Sequence, residues 1–174
     1  NPHKYIKDMN GTANHTPQPK YDLSNMYQTI DFANIMRGYK NNLKEQWDDL
    51  PYKKVWNKSV IDDCDVGIND DKVLVFGHHN KDGDIINIKT HNTKQYGDGT
   101  SKWYLRHKIA SYKRDKDLLI CEGEKDDLVL YSKSYQVVTG TCGAMSIPKN
   151  DWEWIKGWEN PIYICYDNDK GGLL

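Results

Sequence analysis

Leu118-Leu119-Ile120-Cys121-Glu122-Gly123-Glu124-Lys125-Asp126 and Ile162-Tyr163-Ile164-Cys165-Tyr166-Asp167-Asn168-Asp169-Lys170-Gly171-Gly172 decide how this chain folds. In each, a short apolar run stops abruptly at acidic residues and glycine. Runs of this length between polar turns read as buried strands. Carboxylates at strand C-termini sit where open α/β sheets place their ligands. Asp167 and Asp169 are two apart, so an extended backbone turns both to one side. Two strand-end acid clusters point to a divalent cation held by oxygen ligands.

Between these runs strands and helices alternate. Leu118 to Cys121 reads as a strand and Lys125 to Tyr131 as a helix. Tyr135 to Val138 reads as a second strand, followed by the glycine loop Thr139-Gly140-Thr141-Cys142-Gly143-Ala144. Asn150 or Asp151 opens a helix with Trp152, Ile155 and Trp158 facing inward, and Ile162 to Tyr166 is the third strand. A β-α-β-α-β order implies a parallel sheet flanked by helices. Gly143 lets the backbone approach a phosphate or a neighbouring strand closely. Glu124 and Asp127 read as helix-capping acids on the solvent side.

Working outward, Lys72 to Phe76 and Ile85 to Thr90 form a β-hairpin around the turn Asn80-Lys81-Asp82-Gly83-Asp84. Lys94, Lys102, Trp103, Tyr104, Arg106, His107, Lys108, Lys113 and Arg114 then make a basic stretch interleaved with aromatics. That pattern suits a surface that holds phosphates and stacks bases, and equally an ordinary solvated loop. Upstream, Asp22 or Ser24 caps a helix running to about Arg37, with further helical stretches over Asn42 to Asp48 and Lys58 to Asp63. Residues 1–21 read as an arm or linker, 22–116 as a small α+β basic subdomain and 117–174 as the α/β domain.

The chain has 174 residues, enough for one ordinary domain or two small ones, and a formal net charge of -1. The balance neither demands nor excludes a nucleic-acid partner, because acids and bases are segregated along the chain. Cys64, Cys121, Cys142 and Cys165 show no Cys-x-x-Cys spacing, which argues against a zinc ribbon. Cys121 and Cys165 fall in predicted buried strands and read as reduced core residues, as suits a cytoplasmic protein. No signal peptide or membrane-length apolar run occurs. The chain begins without Met and ends just after Gly171-Gly172, which reads as a piece of a larger protein.

The Glu-Gly-x-x-Asp run at Glu122 to Asp126, the Gly-Thr-Cys-Gly-Ala loop and Asp-x-Asp followed by Lys-Gly-Gly resemble the TOPRIM domain of topoisomerases and primases. The likeness is greatest to phage primase-helicases, Twinkle-like helicases and bacterial primases. It covers about Asp117 to Gly172 and is incomplete at the C-terminus, since the family places a further strand and further acids after Asp-x-Asp. The hairpin, Lys89 and Ser101-Lys102-Trp103-Tyr104 resemble the basic subdomain that precedes TOPRIM in primases. His91 stands where that family usually has Arg, and Gly77 where Pro often follows the strand. Neither a zinc module nor a helicase motor with its phosphate-binding loop occurs in these residues.

The resemblance implies Mg²⁺ or Mn²⁺ held by Glu122, Asp126, Asp167 and Asp169, with Glu122, Asp167 and Asp169 catalytic and Glu122 also a candidate general base. Phosphoryl transfer needs such cations to neutralise developing charge and align the reacting oxygens. It places Lys89, His91 and Lys102 against nucleic acid and nucleotide, and Arg106 is expected on the same face. The expected function is that of a DNA primase catalytic core, a DNA-directed RNA polymerase joining ribonucleoside triphosphates on single-stranded DNA, with a replicative hexameric helicase as partner in cis or in trans. Two alternatives stay open: a TOPRIM nuclease or topoisomerase fragment, and a non-catalytic DNA-binding module beside a helicase.

Overall fold

The computed structural model describes residues 30–91, 95–97, 103–141 and 149–167. Asp31 to Leu174 form one compact unit. Its first element is helix α1, Phe32–Gln46. The Asp31 carboxylate caps it, accepting the Asn34 N–H at 2.9 Å, which satisfies one of the orphan donors of the first turn. Phe32, Met36 and Leu43 are its buried face, spaced as one side of a helix requires. The two helical stretches predicted over 24–37 and 42–48 are, within the described residues, this single helix. It runs unbroken through Gly38 because Met36, Tyr39 and Leu43 keep packing against strands on either side of it. Two 3-10 turns follow, Trp47–Asp49 and Pro51–Lys54, then the short helix α2, Val60–Asp63.

The first sheet is antiparallel, in the order β1-β2-β3-β4, with β1 Val66–Ile68, β2 Leu74–His79, β3 Ile85–Thr90 and β4 Gln95–Gly97. The hairpin between β2 and β3 is the predicted one. Asn80 Oδ1 accepts the N–H groups of Asp82 and Asp84, both at 2.9 Å, and Gly83 supplies the turn with φ 94. Helix α1 crosses β1 in direct backbone contact. A Cβ on Gly67 would lie 2.6 Å from Tyr39 C and Cβ, so only glycine fits.

The second sheet has the order β5-β7-β6-β8, with β5 Trp103–Tyr104, β6 Leu118–Cys121, β7 Gln136–Gly140 and β8 Ile162–Cys165. Helix α3, Glu124–Tyr131, links β6 to β7. Strands β6, β7 and β8 are parallel, as the alternating pattern requires, and β5 joins β7 antiparallel. The fold is thus α/β, with a parallel core extended by one strand from the preceding segment.

Strand β5 corrects the reading of the basic stretch. Trp103 and Tyr104 are fully buried rather than laid out for base stacking. The Tyr104 hydroxyl donates to the Cys64 carbonyl at 2.5 Å, and the Trp103 ring meets Trp152 and Trp154 edge-on at 4.9 and 5.2 Å. Arg114 also serves packing: its guanidinium donates to the Trp154 and Lys156 carbonyls and lies 5.1 Å over the Trp158 ring. Trp152, Ile155 and Trp158 face inward as expected, from a 3-10 segment, Lys149–Ile155, in place of an α-helix. One apolar core joins Leu43, Val60, Val66, Phe76, Tyr104, Leu128 and Val137, so both sheets share it.

Two burial expectations are overturned. Cys165 is exposed, as are Tyr163 and Ile164, because among the described residues β8 is an edge strand paired only with β6. Glu124 and Asp127 are buried instead of capping toward solvent, because the first turn of α3 is covered by the hairpin sheet.

Candidate active site

Parallel register sets Cys121 beside Cys165, so the chain emerges from β6 and β8 with its acidic residues side by side. The Asp167 N–H donates to Glu122 Oε2 at 2.9 Å. That bond joins the two motifs that are 45 residues apart in sequence. Gly123 caps α3 in an extended conformation. Its missing side chain leaves space for the Asp126 carboxylate, whose Oδ2 would lie 3.3 Å from a Cβ there. Asp126 is held above the ordinary carboxylate range by partial burial and then by the negative charges of Asp167 and Glu122, against the pull of Lys125. Three carboxylates crowd one strand-end ledge, half-buried at Glu122 and exposed at Asp126 and Asp167.

An all-oxygen donor set of this kind suits Mg²⁺ or Mn²⁺, which keep several waters and need few carboxylates. Among the described residues no group of three or more His, Cys, Asp or Glu side chains is arranged to hold a metal ion. Asp169, Lys102 and Gly143 lie outside the described residues.

Among the basic candidates, an ion pair ties Lys89 to the start of helix α3. Lys89, on β3, reaches across to the second sheet, 2.7 Å from Glu124 Oε1 and donating to the Thr141 carbonyl at 2.5 Å. His91 is exposed just past the end of β3, its N–H donating to the Leu74 carbonyl at 2.8 Å. Arg106 is half-buried at the start of the 3-10 segment Arg106–Ser111.

Sequence reasoning missed several buried polar groups. His78 is fully buried, and desolvation with the Lys89 charge lowers its pKa to about 3. The Asp127 carboxyl is fully buried, and desolvation raises it well above the carboxylate range. Among the described residues it has no N–H or O–H partner, its polar neighbour being the Cys121 thiol. Asp65 accepts from Lys40 at 2.6 Å and meets His79 Nε2 at 2.8 Å. Burial pulls the Asp65 carboxyl up, but these partners hold it below the ordinary value. The spacing Glu122, Glu124, Asp126, Asp127 gave the only sequence signal, since a helix start so rich in acids exceeds what capping needs.

Neither protein-family models nor curated proteins match the chain. Solved structures do. The catalytic core of DnaG is similar at TM-score 0.64 and 16% identity, over 84% of this chain and 63% of that one. The DnaG primase catalytic domain bound to single-stranded DNA gives 0.63 and 16%, over 86% and 65%. The primase fragment of the bacteriophage T7 primase-helicase gives 0.54 and 20%, over 68% and 54%. The chain spans between about half and two thirds of these structures. It has the TOPRIM-containing fold of primase catalytic cores. Among the described residues no helix is long and apolar enough to cross a membrane.

Proposed function

We propose that the chain is the catalytic core of a DNA primase that joins ribonucleoside triphosphates on single-stranded DNA. The observation that carries this reading is the Asp167 to Glu122 hydrogen bond. It brings the acids of both motifs to one sheet edge, while the preceding basic hairpin delivers Lys89 to Glu124 at the start of the helix that follows Glu122. The similar DnaG structure binds single-stranded DNA, and the similar T7 fragment belongs to a primase-helicase. Both likenesses support a DNA template here and a replicative helicase as partner.

Glu122, Asp126, Asp167 and Asp169 would hold Mg²⁺ or Mn²⁺ through carboxylate oxygens. A bound cation of this kind neutralises charge on the transferring phosphoryl group and orients its oxygens. Burial first, and then the Asp167 and Glu122 charges, raise Asp126, and a bound cation would relieve the charge repulsion among them. Glu122, half-buried and bonded to the Asp167 N–H, would take the proton of an attacking hydroxyl. Lys89, Lys102 and Arg106 would supply positive charge, and His91 a hydrogen-bonding ring, for template and nucleotide phosphates.

The test is primer synthesis by the intact protein on single-stranded DNA with Mg²⁺ or Mn²⁺. Asp167→Asn removes a ligand charge at nearly constant shape, so synthesis should vanish while DNA binding stays or tightens. Backbone cleavage lost in the same variant would assign a TOPRIM nuclease or topoisomerase activity instead. DNA binding without synthesis or cleavage in the wild type would assign a non-catalytic module.

A further inference from the structure

Glu124 stands between two candidate metal ligands in sequence, but its side chain is engaged elsewhere. It turns toward the hairpin sheet, where Lys89 Nζ lies 2.7 Å from its Oε1. Both side chains are largely withdrawn from water, at 17% and 10% exposure. His78 Nε2 is 3.6 Å from the same oxygen, too far to hydrogen-bond, and has no other hydrogen-bond partner among the described residues. Burial keeps His78 neutral near pH 7, so among the described residues Lys89 alone neutralises Glu124. An ammonium carries three N–H donors on a flexible stem. Two of them are fixed here by Glu124 and the Thr141 carbonyl, which sets the direction of the third.

We propose that Glu124 is a positioning residue that takes no part in ion coordination and holds Lys89 so that its remaining donor meets a phosphate oxygen of the incoming nucleoside triphosphate. The identity of that ligand rests on the primase reading above. Glu124 is the first residue of α3, within one turn of Glu122 and Asp126. The ammonium it fixes is therefore tethered to the helix turn that carries the metal-binding acids. A buried pair of this kind loses most when one partner is removed, since the other is left charged and unmatched.

The experiment is a double-mutant cycle read by binding of a fluorescent ribonucleoside triphosphate in Mn²⁺ to the intact protein. Lys89→Ala and Glu124→Ala should each weaken binding about tenfold to a hundredfold, the range for a charge-assisted contact. The double variant should bind no more weakly than Lys89→Ala alone. Glu124→Gln keeps size and an acceptor oxygen but loses the charge that pairs with Lys89, so it covers a folding failure of Glu124→Ala and should show a loss in the same direction but smaller. Mn²⁺ titration by electron paramagnetic resonance without nucleotide should give the same affinity in Glu124→Gln as in the wild type. Losses that multiply in the double variant, or a fall in Mn²⁺ affinity in Glu124→Gln, overturn the proposal. If losses multiply while the wild type makes primers, the positioning role fails and the primase reading stands. If binding is coupled but the wild type makes no primers, the primase reading fails and the positioning role stands. A wild type that binds no triphosphate overturns both.

Discussion

His78 makes the fold sensitive to mild acid, and the size of that effect follows from its surroundings. The ring is fully buried on β2, beside the Tyr104 ring at 5.3 Å. Desolvation, then the Lys89 and His79 charges, lower its pKa from 6.5 to about 3. Because the folded value lies below the unfolded one, the unfolded chain takes up the proton first as pH falls. The neutral ring therefore contributes its full stability above pH 6.5 and loses it between 6.5 and about 3. Within that window the slope approaches about 1.4 kcal/mol per pH unit, and from pH 7 to pH 5 the loss is about 2 kcal/mol. His78→Leu fills a similar volume and removes the proton site. Urea unfolding at the two pH values should show the wild type losing about 2 kcal/mol more than the variant, or about 4–8 °C in Tm. His107, lowered to about 4 by partial burial and by the His79 and Lys108 charges, acts in the same direction but cancels in the comparison. So does the buried Asp127, whose raised value gives the opposite slope. An equal acid loss in wild type and His78→Leu would refute the reasoning.

Two further substitutions probe the packing that carries the site. Gly67→Ala drives a Cβ to 2.6 Å from Tyr39 backbone and Cβ, and should cost about 1–3 kcal/mol or more in chemical denaturation; a loss below about 0.5 kcal/mol would mean that α1 can slide off β1. Asp127→Leu replaces a carboxyl that has no N–H or O–H partner among the described residues by an apolar side chain of like branching. It should raise unfolding free energy at pH 7 by about 1–3 kcal/mol, and a destabilised variant would show that the Cys121 thiol contact outweighs desolvation.

The parallel strands were legible because Leu118 to Cys121 and Ile162 to Tyr166 are apolar runs cut off by acids and glycine. The hairpin was legible because Asn80 and Gly83 carry turn chemistry between two apolar runs. Strand β5 was not. Its two buried aromatics sit among Lys102, Arg106 and Lys108, and only the docking of β7 turns such a segment into a strand. The meeting of Glu122 with Asp167 followed from strand order alone. The inward turn of Glu124 did not, since it depends on Lys89, 35 residues away, finding the first turn of α3. Cys165 was misjudged because an apolar run gives no sign of standing at a sheet edge.

The antiparallel pairing of Trp103 with Gly140 and of Tyr104 with Thr139 has a bearing on the order in which the molecule is made. Trp103 leaves the ribosome well before β7 exists to receive it. Until then its indole has neither the strand nor the later tryptophans against which it packs. The hairpin sheet closes early, through local contacts. The second sheet must wait for its central strands and then recruit an edge from what has already been synthesised. Such non-local closure is slow relative to hairpin formation. A nascent chain stalled between these events presents a bare tryptophan beside a basic loop, the kind of segment that chaperones engage.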